Sequence, residues 1–139
     1  MSGKRIADEL WRDLAALVID HRDGWKRAVV EQSGLPFSRI RILMRLRRTP
    51  MTVKQIAAAA TVDAPAATVA VNDLEERGLV VRRVDPSNRR CKIVSLTQAG
   101  QDVVQAIDTV HDPAPDIFGA LSEADLASLR AVLDKLAAG

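Results

Sequence analysis

Two short helices with a three-residue turn between them constrain this chain more than any other feature of its sequence. The run from Thr52 to Gln55 has the spacing of a capping box, in which Thr52 begins a helix and Gln55 bonds back to it. Residues 61–63 form the turn, because Asp63 is a good N-cap for the helix that follows. Gly78 ends that second helix. This arrangement predicts a helix-turn-helix.

The chain changes its period directly after this unit. Leu79 to Val84 and Lys92 to Leu96 are rich in β-branched residues, which favours two strands. The polar segment between them, residues 85–91, predicts a long loop that carries Arg89 and Arg90 at its tip. A β-hairpin that directly follows a helix-turn-helix in this way is termed a wing.

Helical patterns occupy the rest of the chain. One long helix is predicted before Gly34, because apolar residues recur at spacings of three and four. Its seam comprises Leu10, Leu14, Leu17, His21, Trp25 and Ala28. A second helix ends at Thr49 before a proline, a fifth begins at Thr97 and a sixth at Ser122. The predicted fold is therefore mainly α with a β-hairpin wing, a winged helix-turn-helix of six helices.

The basic side chains are concentrated in the middle of the sequence. The chain has a net charge of only +2, but residues 36–92 carry twelve basic and five acidic side chains, a net charge of +7. Ten of the twelve are arginines, the side chain best suited to bidentate contacts with phosphate and guanine. This segment is expected to bind a polyanion. The alternative is that the charge imbalance arises by chance and the side chains are only solvated.

Other classes of protein are not favoured by the composition. The longest runs without a charged residue are nine residues, whereas a membrane-spanning helix needs about 20 apolar residues. The N-terminus does not resemble a secretory signal, and the one cysteine, Cys91, cannot form an internal disulfide, so a cytoplasmic location is expected. The sequence has neither a glycine-rich phosphate loop nor paired Cys or His at metal spacing. We therefore expect no enzyme, no cofactor and no metal.

Residues 85–100 resemble the wing signature of the multiple-antibiotic-resistance regulator (MarR) family: Asp-Pro, an acidic residue, two arginines, a hydrophobic strand, Leu-Thr and a glycine. Residues 74–80 resemble the segment that ends the recognition helix in proteins of this family. Two positions depart from the pattern. Asn88 stands where an acidic residue is frequent, and Val69 stands where an arginine is common.

The resemblance implies a DNA-binding regulator, expected to be a repressor that binds a pseudo-palindromic operator as a homodimer and is released by a small aromatic acid. It implies one MarR-type domain over residues 1–139. In this division, residues 36–96 are the DNA-binding lobe, and residues 1–35 and 97–139 are the helical dimerisation region. The alternative is an adaptor that uses the winged domain to bind proteins without DNA.

The recognition helix and the wing supply the predicted DNA contacts. Asn72 is expected to pair with adenine and Val69 to meet a thymine methyl, which favours an A·T-biased site. The alternative is that Thr68 bonds only the backbone and that Asn72 is merely exposed. The complete predicted set is Thr52, Lys54, Ala66, Thr68, Val69, Asn72, Arg82, Arg83, Arg89, Arg90 and Lys92.

Within this set, the resemblance assigns Arg90 to the minor groove and Arg89 to an ion pair with Asp85 that stabilises the wing. Arg82, Arg83 and Lys92 flank the wing and are expected to contact phosphate.

An effector site is predicted near the junction of the first two helices, where Trp25 can stack on an aromatic ring and His21, Arg39 and Arg45 can bind its carboxylate. For His21 the alternative is a core residue of the first helix. Cys91 is close to basic residues, but it has no resolving cysteine in the chain, which does not favour a redox sensor.

Overall fold

The computed structural model describes residues 2–139, so the first residue of the predicted domain lies outside it. Seven α-helices, three β-strands and one 3₁₀ turn are present in this range. In chain order they are α1 Ser2–His21, α2 Asp23–Ser33, α3 Phe37–Arg48, β1 Met51–Thr52, α4 Val53–Ala60, α5 Ala64–Glu76, β2 Val80–Asp85, β3 Asn88–Leu96, α6 Gln98–Asp108, the 3₁₀ turn Asp116–Ala120 and α7 Glu123–Ala138. The predicted mainly α fold with a β-hairpin wing is confirmed.

The prediction of six helices was wrong because the first helix is broken at Arg22. This residue leaves the helical path with φ −105° and ψ −1°. Its guanidinium stacks over the Trp25 ring, 3.8 Å from the ring centroid, and its Nη2 donates to Asp112 at 3.2 Å. The break turns α2 into the core, where Val29 is buried, whereas α1 has no buried residue.

The sheet has the strand order β1-β3-β2 and is antiparallel throughout. The short strand β1 was not predicted, and Met51 in it pairs with Val94. The expectation of a long loop at the wing tip was also wrong, since Asp85 pairs with Asn88 and leaves only residues 86 and 87 in the turn. Arg89 and Arg90 are therefore strand residues.

One core joins the helix-turn-helix to the helices on either side of it. Its largest fully buried side chains come from five helices and one strand, and their rigid packing fixes the wing and α5 relative to each other. They are Ile40, Leu43, Ile56, Leu74, Val29, Val71, Val94 and Val104.

The predicted helix caps are confirmed. Thr52 and Gln55 form both bonds of the capping box, and the side chain of Asp63 accepts from Ala66 N at 2.7 Å. Thr97 caps α6 and also donates through Oγ1 to the carbonyl of Gly78 at 2.6 Å. This last bond ties the start of α6 to the end of the recognition helix.

Apolar side chains on α1 and α7 remain exposed. Neither helix has a buried residue, and Trp11 and Leu136 are 72% and 67% exposed. Exposed apolar faces of this extent usually mark an interaction surface. Within residues 2–139, the helices are all too short or too polar to cross a bilayer.

Candidate nucleic-acid interface

The recognition helix α5 has one buried and one exposed face. Ala67, Ala70, Val71 and Leu74 are buried, and the opposite face consists of the predicted contact residues Ala66, Thr68, Val69 and Asn72. Because the buried face is packed against the core, the exposed face has a fixed orientation. Its side chains are small or polar and uncharged.

Thr68 bonds the backbone of its own helix. Its Oγ1 donates to the carbonyl oxygen of Ala64 at 3.0 Å, one turn earlier. The hydroxyl oxygen keeps its acceptor capacity, and the methyl group of the side chain stays available for contact. Val69 beside it is 61% exposed, a fraction that leaves an apolar surface free on this face.

Asn72, Arg82 and Glu75 form one hydrogen-bonded group that links α5 to β2. Arg82 Nη2 donates to Asn72 Oδ1 at 2.7 Å and to Glu75 Oε1 at 2.9 Å. The hydrogen bonds and charge of Arg82 hold the pKa of the Glu75 carboxyl below its usual range. The expected phosphate contact of Arg82 is less favoured by this geometry, because Nε and Nη2 are bound to Glu75 and Asn72 and the Glu75 carboxylate balances the charge of the guanidinium. The expected pairing of Asn72 with adenine is also less favoured, because Arg82 takes one of the two lone pairs of the amide oxygen and holds that oxygen toward β2.

The turn of the wing is held by Asp85, but not through the expected partner. The predicted ion pair between Asp85 and Arg89 does not form. Asp85 Oδ1 instead accepts from Ser87 N at 2.9 Å and from Ser87 Oγ at 2.8 Å. These bonds lower the pKa of the Asp85 carboxyl. With only two residues in the turn, Ser87 lies closer to the carboxylate than any arginine of β3 does, and Arg89 stays free.

Four basic side chains of the wing are exposed. Arg83 lies on β2, and Arg89, Arg90 and Lys92 lie on β3. None of the four forms an ion pair with another residue in the range 2–139. Arginines 39, 47, 77 and 82, by contrast, are each paired with a carboxylate. The wing therefore places four uncompensated positive charges beside α5.

Thr52 and Lys54 lie at the start of α4. Thr52 Oγ1 accepts from Gln55 N at 3.1 Å, so the threonine hydroxyl already serves as the helix cap. Lys54 is exposed in the first turn of the helix.

The four residues of the predicted effector site do not come together. His21 is exposed on α1, where its Nδ1 donates to the carbonyl of Leu17 at 2.8 Å. Arg39 is bound to Asp73 on α5. The break at Arg22 separates His21 from Trp25, because the two residues no longer share one helix face.

Trp25 and Arg45 remain together in a cleft of about 570 Å³ between α2 and α3. The ring of Trp25 stands edge-on to Phe37, with ring centroids 5.8 Å apart. Arginines surround this aromatic pair, namely Arg22, Arg41, Arg45, Arg47 and Arg48. An aromatic floor with a cationic rim suits a planar anion.

A separate and more apolar cleft of about 570 Å³ contains His21. It lies between α1 and the segment that leads to the 3₁₀ turn, with Leu14, Ile117 and Phe118 among its lining residues.

Comparisons with known proteins agree with this architecture. Residues 33–90 match the profile of the MarR family. This part of the chain is similar to the MarR family. The match spans the end of α2, the helix-turn-helix and the first part of the wing, and it confirms the resemblance seen in the sequence.

Solved structures extend the likeness to the full fold of the chain. Wild-type MarR from E. coli is 20% identical, with 89% of this chain and 93% of that chain covered and a TM-score of 0.72. The transcriptional regulator BldR from Sulfolobus solfataricus is 22% identical, with coverage of 97% and 99% and a TM-score of 0.64. A point mutant of MepR from S. aureus, bound to an oligodeoxyribonucleotide, is 24% identical, with coverage of 95% and 96% and a TM-score of 0.59.

Sequence reasoning missed three participants in these sites. Glu75 anchors Arg82, and Arg22 covers Trp25 in the cleft. Arg41 joins Arg45 on the cleft rim, and its signal was visible, since residues 41, 45 and 48 follow the helical spacing along α3. Glu75 gave no such signal, because its partner lies on a strand seven residues later.

Proposed function

We propose that this chain is a DNA-binding transcriptional repressor that occupies a pseudo-palindromic operator as a homodimer. The observation that carries the proposal is the placement of four free cationic side chains, Arg83, Arg89, Arg90 and Lys92, beside the exposed face of α5. Free cations next to a helix with a small polar surface suit a duplex, because phosphates neutralise the wing while the helix enters the major groove.

In this proposal the residues have distinct roles. Arg90 enters the minor groove at the flank of the operator, where a narrow A·T tract deepens the negative potential. Arg83, Arg89 and Lys92 contact phosphate, together with Lys54 and the N-terminus of α4. Ala66, Thr68 and Val69 contact base edges and thymine methyl groups in the major groove.

The proposed domain division follows the predicted one. Residues 36–96 form the DNA-binding lobe, and residues 1–35 and 97–139 form the dimerisation region. The exposed apolar faces of α1 and α7 support this division, since a second copy of the chain would cover them. The two-fold axis then sets the recognition helices about one helical turn of DNA apart, roughly 10 bp. The proposed place of action is the cytoplasm, which suits a chain with one cysteine.

We place the proposed effector, a small aromatic acid, in the Trp25 cleft. Its ring would pack against Trp25 and Phe37, and its carboxylate would bind the arginines of the rim. By linkage, the ligand must bind the free dimer better than the DNA complex by the same factor by which DNA affinity falls.

DNA binding is tested by selecting bound fragments from genomic DNA and measuring their affinity over a range of salt concentrations. The four phosphate-binding cations Lys54, Arg83, Arg89 and Lys92 in each of two protomers give a slope of log K against log salt of up to about −7, since each neutralised phosphate contributes about −0.9. A protected region of two half-sites about 10 bp apart is expected. An adaptor without DNA binding would give no saturable, salt-sensitive complex, and that result would reject the proposal.

A further inference from the structure

The side-chain amide of Asn72 has a fixed orientation on the exposed face of α5, and the proposed DNA contacts do not account for it. Asn72 lies on the exposed face of α5, and Arg82 Nη2 is 2.7 Å from its Oδ1. Arg82 is itself held by Glu75, to which both Nη2 and Nε donate, at 2.9 and 3.5 Å. The arginine side chain is only 26% exposed, so competition from water is reduced. A clamped donor therefore determines where the amide oxygen of Asn72 points.

Chemistry identifies which end of the amide faces the arginine. A guanidinium has only donors, so the atom that it contacts has to be the oxygen, and the nitrogen lies on the other side of the amide. Among residues 2–139, no protein acceptor is found for Asn72 Nδ2. The two N–H groups of Asn72 are thus the free end of the side chain.

This arrangement changes what Asn72 can recognise. Pairing with adenine uses both ends of the amide, since the oxygen accepts from N6 and the nitrogen donates to N7. Guanine presents N7 and O6 in the major groove, and both are acceptors. An asparagine whose oxygen is held toward Arg82 presents its N–H groups instead, and these match guanine better than adenine.

We infer that Arg82 is a positioning residue that makes Asn72 a donor-only reader, selecting guanine at the base pair that faces it. The inference rests on the proposed DNA binding and adds to it the identity of one base. It replaces the phosphate contact expected for Arg82. It also reverses, at this one position, the preference for A·T expected from the sequence.

The test is selection of operators from a randomised DNA pool by the full chain and four variants. Asn72→Ala identifies the base pair that Asn72 reads, since preference should be lost there alone. The parent should favour guanine at that pair by about tenfold, the discrimination of a good base contact. Arg82→Met removes the donors and frees the amide oxygen, so the preference should move to adenine.

Two further variants separate positioning from a general structural role. Asn72→Asp keeps an acceptor for Arg82 but has no donor, so the selected base should become cytosine, whose N4 amino group donates. Arg83→Met removes the neighbouring arginine of β2, which does not contact Asn72. It should weaken binding to all sequences and leave the base preference unchanged. Thermal melts of each variant show whether the fold is retained.

Three results would overturn the inference. Selection of adenine by the parent at the Asn72-dependent pair would reject it and leave the proposed DNA binding intact. Identical base profiles for Arg82→Met and Arg83→Met would also reject it. A parent chain that selects no DNA would overturn the proposed function, and this inference with it.

Discussion

Nε of Arg39 lies 3.0 Å from Oδ2 of Asp73, and this pair joins α3 to the recognition helix. Asp73 also accepts from Arg77 Nε at 3.1 Å, so one carboxylate holds two guanidinium groups. The hydrogen bonds from Arg39 and Arg77 lower the pKa of Asp73 below its ordinary value of 3.8. One ionised carboxylate therefore adds an electrostatic link between α3 and α5 to the packing of the core.

This cluster predicts a specific acid sensitivity. A carboxyl whose pKa is lower in the folded than in the unfolded state stabilises the fold fully above the unfolded value. That contribution is lost as the pH falls below 3.8 and through the lowered pKa of Asp73. Asp73→Asn should be less stable than the parent at neutral pH, and the difference should shrink in this acid range. Urea denaturation over a pH series measures it.

Asp134→Asn is the matched control for that series. It removes a carboxylate from an exposed pair with Arg130 on α7, and such pairs contribute about 0–1 kcal/mol. A stability difference between Asp73→Asn and the parent that stayed constant from neutral to acid pH would contradict the prediction.

Gly100 in α6 predicts a steric effect on stability. A Cβ at this position would lie 2.1 Å from the carbonyl oxygen of Leu79, a backbone atom that cannot move aside. Gly100→Ala should lower the free energy of unfolding by at least about 1–3 kcal/mol, the usual cost of overpacking. Gly24→Ala, which meets no atom within 4 Å, should cause no loss. Equal midpoints of urea denaturation for the two variants would show that α6 does not approach Leu79 this closely.

The apolar faces of α1 and α7 predict a dimer. Light scattering should give a mass of about 30 kDa for the parent, twice the 15.1 kDa of one chain. Introducing charge by Leu17→Glu together with Leu133→Glu should yield the monomer mass, because both side chains lie on these faces. Val84→Glu alters an equally exposed apolar residue in the wing and should leave the dimer intact. A monomeric parent at micromolar concentration would exclude the dimer.

The wing predicts a context-dependent loss of affinity. Arg90→Ala should weaken binding by roughly tenfold on operators with A·T-rich flanks and by less on G·C-rich flanks, since it removes a minor-groove cation. Arg130→Ala makes the same change in net charge on α7 and should have little effect. Fluorescence anisotropy with both operator types measures the ratio. If Arg90→Ala bound both operators with the affinity of the parent, Arg90 would not be part of the interface.

The arginine-rimmed cleft predicts binding of aromatic acids. The chain has two tryptophans, so Trp11→Phe leaves Trp25 as the reporter. Salicylate should quench Trp25 fluorescence and lower operator affinity, whereas uncharged salicylamide should do neither, because it lacks the carboxylate. Arg45→Gln should weaken the response, and His21→Ala, in the other cleft, should preserve it. Quenching without loss of operator affinity would show that a ligand binds in the cleft but does not control DNA binding.

Local signals in the sequence were sufficient for much of the fold. The caps at Thr52, Asp63 and Thr97 depend on residues within one turn, so their spacing alone predicts them. The break at Arg22 was missed although Asp23-Gly24 follows it, because the apolar spacing continues through this point and the partner Asp112 is 90 residues away. Strand β1 was missed for the same reason, since it exists only by pairing with β3.

Predictions about the site depended on side-chain partners, and these were less accessible from sequence. Position along α5 was enough to identify Asn72 as exposed, but its bond to Arg82 joins a helix to a strand. The ion pair expected between Asp85 and Arg89 is absent because the turn is shorter than the sequence indicated. The short turn places Ser87 within hydrogen-bonding distance of the Asp85 carboxylate. Of the predicted effector residues, His21 was separated from Trp25 because one helix was really two, and Arg39 was bound to Asp73 on α5.

The helices α1 and α7 bury no residue within a single chain. If a second copy covers them, their stability obeys mass action and rises with protein concentration. Dilution would then loosen both helices while the core around α5 stays folded. An operator that holds two copies side by side would supply the missing local concentration, so assembly of the dimer and occupancy of the DNA would reinforce each other. The number of copies in the cell would thereby set the threshold for repression.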